Sequence, residues 1–145
     1  MQFDGRGTKV MVVDSDRTTL EMVQIRLDVA GYHPIIARTG FVALDILRAS
    51  RPDVLILERN MPDVDGLMLL RELKSFVPAT HMFPVLLVGR AIGADDVRAG
   101  IQLGVRDVLA KPFSGAVVLE RVSRLLKKSA APAVPPPPVR KVVYV

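Results

Sequence analysis

The sequence predicts an α/β fold: a doubly wound parallel sheet of five strands, each followed by a helix. Three observations carry this. Five short apolar, β-branched runs recur between residues 9 and 110. Stretches with apolar residues three and four apart separate them, the period of a helix with one buried face. The runs also lack the alternation of a strand with one wet face, as strands covered on both sides should. Strands alternating with helices at this spacing imply βαβ units. Five such units in about 120 residues match the flavodoxin-like strand order 2-1-3-4-5.

The first strand is Lys9–Val13 (KVMVV). A helix follows over 17–30, with Leu20, Val23, Leu27 and Ala30 on one face and Gly31 as its stop. The second strand, Pro34–Ala37, is short and suits a sheet edge. The second helix spans 40–49, with Val42, Ile46 and Ala49 sharing a face. Val54–Leu57 (VLIL) is the most continuous strand signal, and the loop Met61-Pro62-Asp63-Val64-Asp65-Gly66 follows it. A helix over 67–76, a strand at Pro84–Val88, a helix over 94–103 closed by Gly104, and a strand at 105–110 come next. Lys111-Pro112-Phe113 ends the fifth strand. Ser114 is the expected N-cap of a last helix ending near Lys128, with Val118, Val122 and Leu125 as its apolar stripe.

The 145 residues suffice for one domain, placed at 1–128, followed by a Pro-rich, basic tail at 129–145. Residues 1–120 carry 14 Lys/Arg against 15 Asp/Glu, whereas 121–145 carry six cations and no acid. The basic balance thus belongs to the C-terminal end and suits anionic partners. Four consecutive prolines, 135–138, favour an extended polyproline stretch. Without cysteine there is no disulfide, thiolate zinc site or cysteine nucleophile. Two histidines make a His-based metal site improbable. No apolar run reaches the roughly 18 residues a membrane helix needs. With no apolar signal region at the N-terminus, the expectation is a soluble cytoplasmic protein.

In a doubly wound sheet, function gathers at the carboxyl ends of the strands. Those ends here are Asp14-Ser15-Asp16, Glu58 with Asn60, Gly89-Arg90, and Lys111-Pro112. Clustered carboxylates repel one another unless a hard cation or an ammonium offsets them. Taken singly, each is a capping acid or a surface lysine; together they describe one cleft.

These segments resemble the receiver domain of bacterial two-component response regulators, the single-domain chemotaxis type in particular. The resemblance covers about residues 8–128 and rests on Val12-Val13-Asp14-Ser15-Asp16, Pro52–Glu58, Met61–Gly66 and Leu109-Ala110-Lys111-Pro112-Phe113. It implies a cis Lys111–Pro112 peptide and phosphoryl transfer from a histidine kinase to an aspartate ending the third strand. It also implies magnesium on two acids after the first strand, a Ser/Thr after the fourth, and a switch aromatic in the fifth. Asp14 and Lys111 match that pattern. Ser15 stands in place of the second magnesium acid, Glu58 in place of the acceptor aspartate, Gly89 in place of the Ser/Thr, and Val108 in place of the aromatic.

The departures have physical content. A glutamate carries its carboxylate about 1.5 Å further out than an aspartate, and in-line attack needs placement within about half an ångström. Ser15 supplies no carboxylate, so Asp14 would hold magnesium weakly at best, and no other cofactor is expected. Gly89 has no hydroxyl and Val108 no ring.

The expectation is therefore a degenerate receiver that is not an enzyme and is not phosphorylated at the usual site. It would act as a protein-interaction or adaptor module, through the face of the fourth helix, fifth strand and fifth helix or through the tail. Arg90, Arg98, Arg106, Arg121, Arg124, Arg140 and Lys141 are the candidate anion- or partner-binding cations. One alternative is a receiver gated by an anionic nucleotide such as cyclic di-GMP, held by arginines. Another is a conventional phosphoreceiver in a phosphorelay. With no helix-turn-helix, DNA ranks last.

Overall fold

The computed structural model describes residues 7–130. Its strands are β1 (Lys9–Val13), β2 (His33–Ala37), β3 (Val54–Glu58), β4 (Val85–Gly89) and β5 (Val105–Ala110). Its helices are α1 (Arg17–Val29), α2 (Gly40–Ala49), α3 (Gly66–Lys74), α4 (Ala94–Gln102) and α5 (Gly115–Ala130). A 3-10 turn at Ala79–His81 leads into β4. The sheet is parallel throughout, in the order β2-β1-β3-β4-β5. The doubly wound architecture and its strand order are those the sequence predicts.

Each strand splits its side chains between two cores, because successive residues face opposite sides. Met11, Val13, Leu55, Leu57, Val85 and Leu87 pack under α2 and α3. Val10, Val12, Val54, Ile56, Leu86 and Val88 pack under α1 and α5. That two-sided burial removes the hydrophobic alternation from β1, β3 and β4. β2 pairs only with β1 and is partly exposed, as an edge strand is.

Several boundaries differ from expectation by one or two residues. β3 runs on through Glu58, so the acid is the last residue of its strand. β4 starts at Val85 rather than Pro84, whose ring nitrogen has no hydrogen to give a ladder. α5 continues to Ala130, past Lys128. Residues 131–145 lie outside the described residues, and with them Arg140, Lys141 and the prolines.

The face of α2 is a correction. Ala43, Leu44 and Leu47 are its buried side chains, together with Gly40, while Val42 is 46% exposed. The helix carries apolar residues on more than one side, so its period does not select a face; its N-terminal contacts do. The Asp63 carboxylate accepts the Gly40 and Phe41 amides at 3.0 Å each, and Thr39 accepts that of Val42 at 3.1 Å. Gly40 lies against Val64, where a Cβ would come within 2.8 Å of the valine's own. The β3–α3 loop therefore seats α2.

Burial works against the Asp63 charge, but the backbone amides outweigh it and hold the carboxyl below its usual value. A carboxyl lowered in the folded state adds stability above its unfolded value and loses it as pH falls through the folded one. Asp63→Ala should cost about 1 kcal/mol at neutral pH, the usual worth of a helix N-cap. Below about pH 4 the cost should begin to shrink, because the unfolded carboxyl takes up a proton first, and it should be gone only once pH has fallen through the lower folded value. Urea titrations across pH 3–7 measure both.

Candidate functional site

Three chain segments reach the same point above the sheet. Asp14 follows β1, Glu58 ends β3, and Lys111 follows β5 across a cis bond to Pro112. The Lys111 ammonium lies 2.6 Å from Asp14 Oδ2 and 2.6 Å from Glu58 Oε1. All three side chains are buried, with at most 7% exposed. Asp14 and Glu58 are the buried charged residues among those described besides this lysine.

The backbone completes the pocket. Asp14 Oδ1 accepts the Asp16 amide at 2.9 Å, and Glu58 Oε2 accepts the Asn60 amide at 2.8 Å. Burial pushes the Asp14 carboxyl up, and the Lys111 hydrogen bond and the Asp16 amide offset only part of that. Burial also opposes the Lys111 charge, but hydrogen bonds to both carboxylates prevail and raise its pKa. The ammonium is thus the cation that lets two acids share a dry site.

The other strand-end residues are placed less centrally. The Asp16 carboxylate turns away to cap α1, accepting from the Thr18 amide and, at 2.8 Å, from the Thr19 hydroxyl. Those bonds hold it below the usual carboxylate range, the Thr19 hydroxyl foremost. Ser15 is half-buried beside it, and Asn60 is exposed. Gly89 is buried against Glu58; Val108 is half-buried and packs on the α2–α3 core. Arg90 is exposed and lines a cleft of about 260 Å³ with Asp16, Thr18, Lys111 and Phe113. Lys111, not Arg90, partners Glu58.

Of the remaining arginines, Arg98 pairs with Asp95 and Arg124 with Glu120. Arg121 reaches both Asp107 oxygens at 3.1 Å and the Val108 carbonyl at 3.2 Å. Arg106 is exposed and lines a cleft of about 240 Å³ beside Lys74 and Ile101.

An ion triplet that sequence reading misses lies next to Glu58. The Arg59 guanidinium binds Asp65, the N-cap of α3, and Asp96 in the first turn of α4, the latter at 3.0 Å. Asp96 also accepts the Gly93 amide at 3.1 Å, closing the start of α4. Arg59 holds Asp96 below its usual value. The two acids have local signals, Asp65 as an N-cap and Asp96 as a first-turn residue behind a loop. Arg59 has none, because its partners are 6 and 37 residues away.

The response regulator receiver domain family matches residues 10–123. The chain belongs to this family. Response regulator MprA of Mycobacterium bovis is 34% identical over 123 residues, which is 85% of this chain and 52% of MprA. TcrX of Mycobacterium tuberculosis, described as a transcriptional regulatory protein, is 35% identical over 131 residues, 90% of this chain and 55% of TcrX. The chain thus spans about half the length of the curated relatives it matches. Among solved structures, the chemotaxis protein CheY4 of Vibrio cholerae superposes with a TM-score of 0.76 at 27% identity, covering 83% of this chain and 99% of CheY4. The receiver domain of a Syntrophus aciditrophicus histidine kinase gives 0.73 at 28% identity, covering 90% of this chain and 99% of that one.

Receivers are signalling modules of two-component systems and commonly bind magnesium at the phosphorylation site. In this receiver the residues present suit magnesium poorly. Both buried carboxylates already face an ammonium, Ser15 is neutral, and Asp16 is committed to α1. Among the described residues, no group of three or more His, Cys, Asp or Glu could hold a metal ion. No described helix is long and apolar enough to cross a membrane.

Removing the lysine tests the pocket. Lys111→Ala leaves Asp14 and Glu58 buried without a cation, a change that should cost about 3–5 kcal/mol at pH 7. The stranded carboxyls then favour protonation in the folded state, so their penalty is present at high pH and fades as pH falls. The variant should recover part of the deficit at pH 5, measured by urea denaturation against the parent at both pH values.

Proposed function

We propose that this chain is a receiver module that signals through its surface without forming an acyl phosphate at Glu58. The single observation carrying this reading is the engagement of the Glu58 carboxylate, which accepts from Lys111 through one oxygen and from the Asn60 amide through the other. An attacking carboxylate oxygen must be free, correctly placed and faced by a metal-bound phosphoryl group. Glu58 is too long, both its oxygens are held, and Ser15 offers no second acid to a metal. Magnesium binding, through Asp14, is accordingly weak. Gly89 and Val108 bring neither a hydroxyl nor a ring to report a bound phosphate.

The output surface proposed is the face of α4, β5 and α5, with a protein as partner. Arg98, Arg121 and Arg124 are bound to acids on that face, so they present mixed rather than cationic charge. Those pairs count against an arginine-lined cyclic dinucleotide site. TcrX by its description acts on transcription; the expectation against DNA concerns only the residues of this chain.

A second reading is the conventional phosphoreceiver. It is favoured by the match to response regulators across residues 10–123 and by the retention of Asp14 and Lys111. One experiment separates the two: intact-mass measurement after incubation with acetyl phosphate and magnesium. The expected result is no gain of a phosphoryl group in the parent chain or in Glu58→Asp, which still lacks an acid at position 15. Glu58→Asp combined with Ser15→Asp should show gain. A phosphoryl adduct on the parent that disappears in Glu58→Gln would establish the conventional reading instead.

A further inference from the structure

We propose that Gly89 is the residue that fits this pocket to a glutamate, so that positions 58 and 89 act as one matched pair. The backbone of Gly89 does not need a glycine. Positive φ among the described residues occurs at Gly31 and Gly104, not here, so an ordinary side chain is sterically admissible for the chain itself. What excludes one is the surrounding space. A Cβ at position 89 would stand 3.2 Å from Glu58 Oε2, 3.2 Å from Arg59 Cβ and 3.2 Å from Ile92 Cγ1.

None of the three neighbours can give way cheaply. Glu58 Oε2 is fixed by the Asn60 amide, and its sister oxygen by Lys111. The Arg59 side chain is pinned at its far end by Asp65 and Asp96. Ile92 packs against the α2–α3 core. Nor can the backbone withdraw, because Lys111 donates its amide to the Gly89 carbonyl at 2.9 Å and Arg59 donates to Val88 at 2.7 Å. Interiors packed this closely do not absorb an extra methyl without displacing something.

An aspartate at 58 would draw its oxygens back by about 1.5 Å, one C–C bond, and vacate the space over position 89. The pair therefore has two consistent solutions: a long acid over a glycine, or a short acid beside a side chain. This chain holds the first. Gly89 is thus a positioning residue, acting through the seat it leaves for the carboxylate that Lys111 grips. The inference deepens the reading of a closed, lysine-bridged pocket.

The test introduces Gly89→Ala into the parent chain and into Glu58→Asp. At a position with ordinary backbone angles, glycine to alanine normally raises stability by restricting the unfolded chain. The expected result is a change of sign: Tm falls in the parent and rises in Glu58→Asp. If the single variant fails to fold while the double variant folds, the same conclusion follows. Equal signs in the two backgrounds overturn the proposal. A second readout follows the site itself: mass-spectrometric acylation of Lys111 relative to Lys74 with acetic anhydride. In folded Gly89→Ala the ratio should rise several-fold, because displacing Glu58 leaves the ammonium with Asp14 as its one carboxylate partner; an unchanged ratio also overturns the proposal. Phosphoryl gain at parent Glu58 would defeat the functional reading but would leave the sign test as it is, so the two failures are distinguishable.

Discussion

One ammonium group holds the functional end of this molecule together. Lys111 emerges beyond β5, yet its partners belong to β1 and β3. In the order β1-β3-β4-β5 it must cross the end of β4 to reach them. The residue at that end is Gly89, which leaves room for the Glu58 carboxylate. Buried ion pairs are weak sources of net stability, but each partner becomes costly once another is gone. The seating of the two buried acids therefore depends on the lysine.

Around that centre the loops are tied down by charge as well as by apolar packing. Arg59 joins the start of α3 to the start of α4, and Asp63 joins the β3–α3 loop to the start of α2. Gly66 lets this loop close tightly, since a Cβ there would approach the Glu58 carbonyl within 2.6 Å. Arg59, Asp63 and Asp65 thus connect the acceptor-equivalent strand to three helices. Arg59, next to Glu58 in the chain, touches the first turn of α4, part of the proposed output face.

The fold was legible in the sequence because burial on both faces writes itself into composition. Continuous apolar runs such as Val54–Leu57 arise only where helices cover both sides, and Gly31 marks a helix end at a positive φ of 93°. The convergence of Asp14, Glu58 and Lys111 was legible too, since parallel strands bring their carboxyl ends to one side of the sheet. Side-chain partnerships across long separations were not. Nothing local to Arg59 points to Asp96, and nothing in 40–49 reveals that Asp63 sets which face of α2 turns inward. Of the candidate anion-binding arginines, Arg98, Arg124 and Arg121 are matched with acids three, four and fourteen residues away. Such pairing depends on helix phase and on how α5 lies along β5, which hydrophobic period alone does not fix.

The contact between Arg121, Asp107 and Val108 bears on how such molecules associate. β5 is an outer strand, and the outer strand of a sheet usually offers free amides and carbonyls to any strand that drifts alongside. Here the Val108 amide is taken by the Asp107 carboxylate at 2.8 Å, and the Val108 carbonyl by Arg121. On the opposite margin, His33 donates inward to Thr8 at 2.8 Å, so its neighbour Pro34 occupies an outward slot and has no amide to offer. Both margins of the sheet are blunted against the edge-to-edge growth that ends in aggregates. Strand addition at Val108 or Pro34 would find no free amide to pair with.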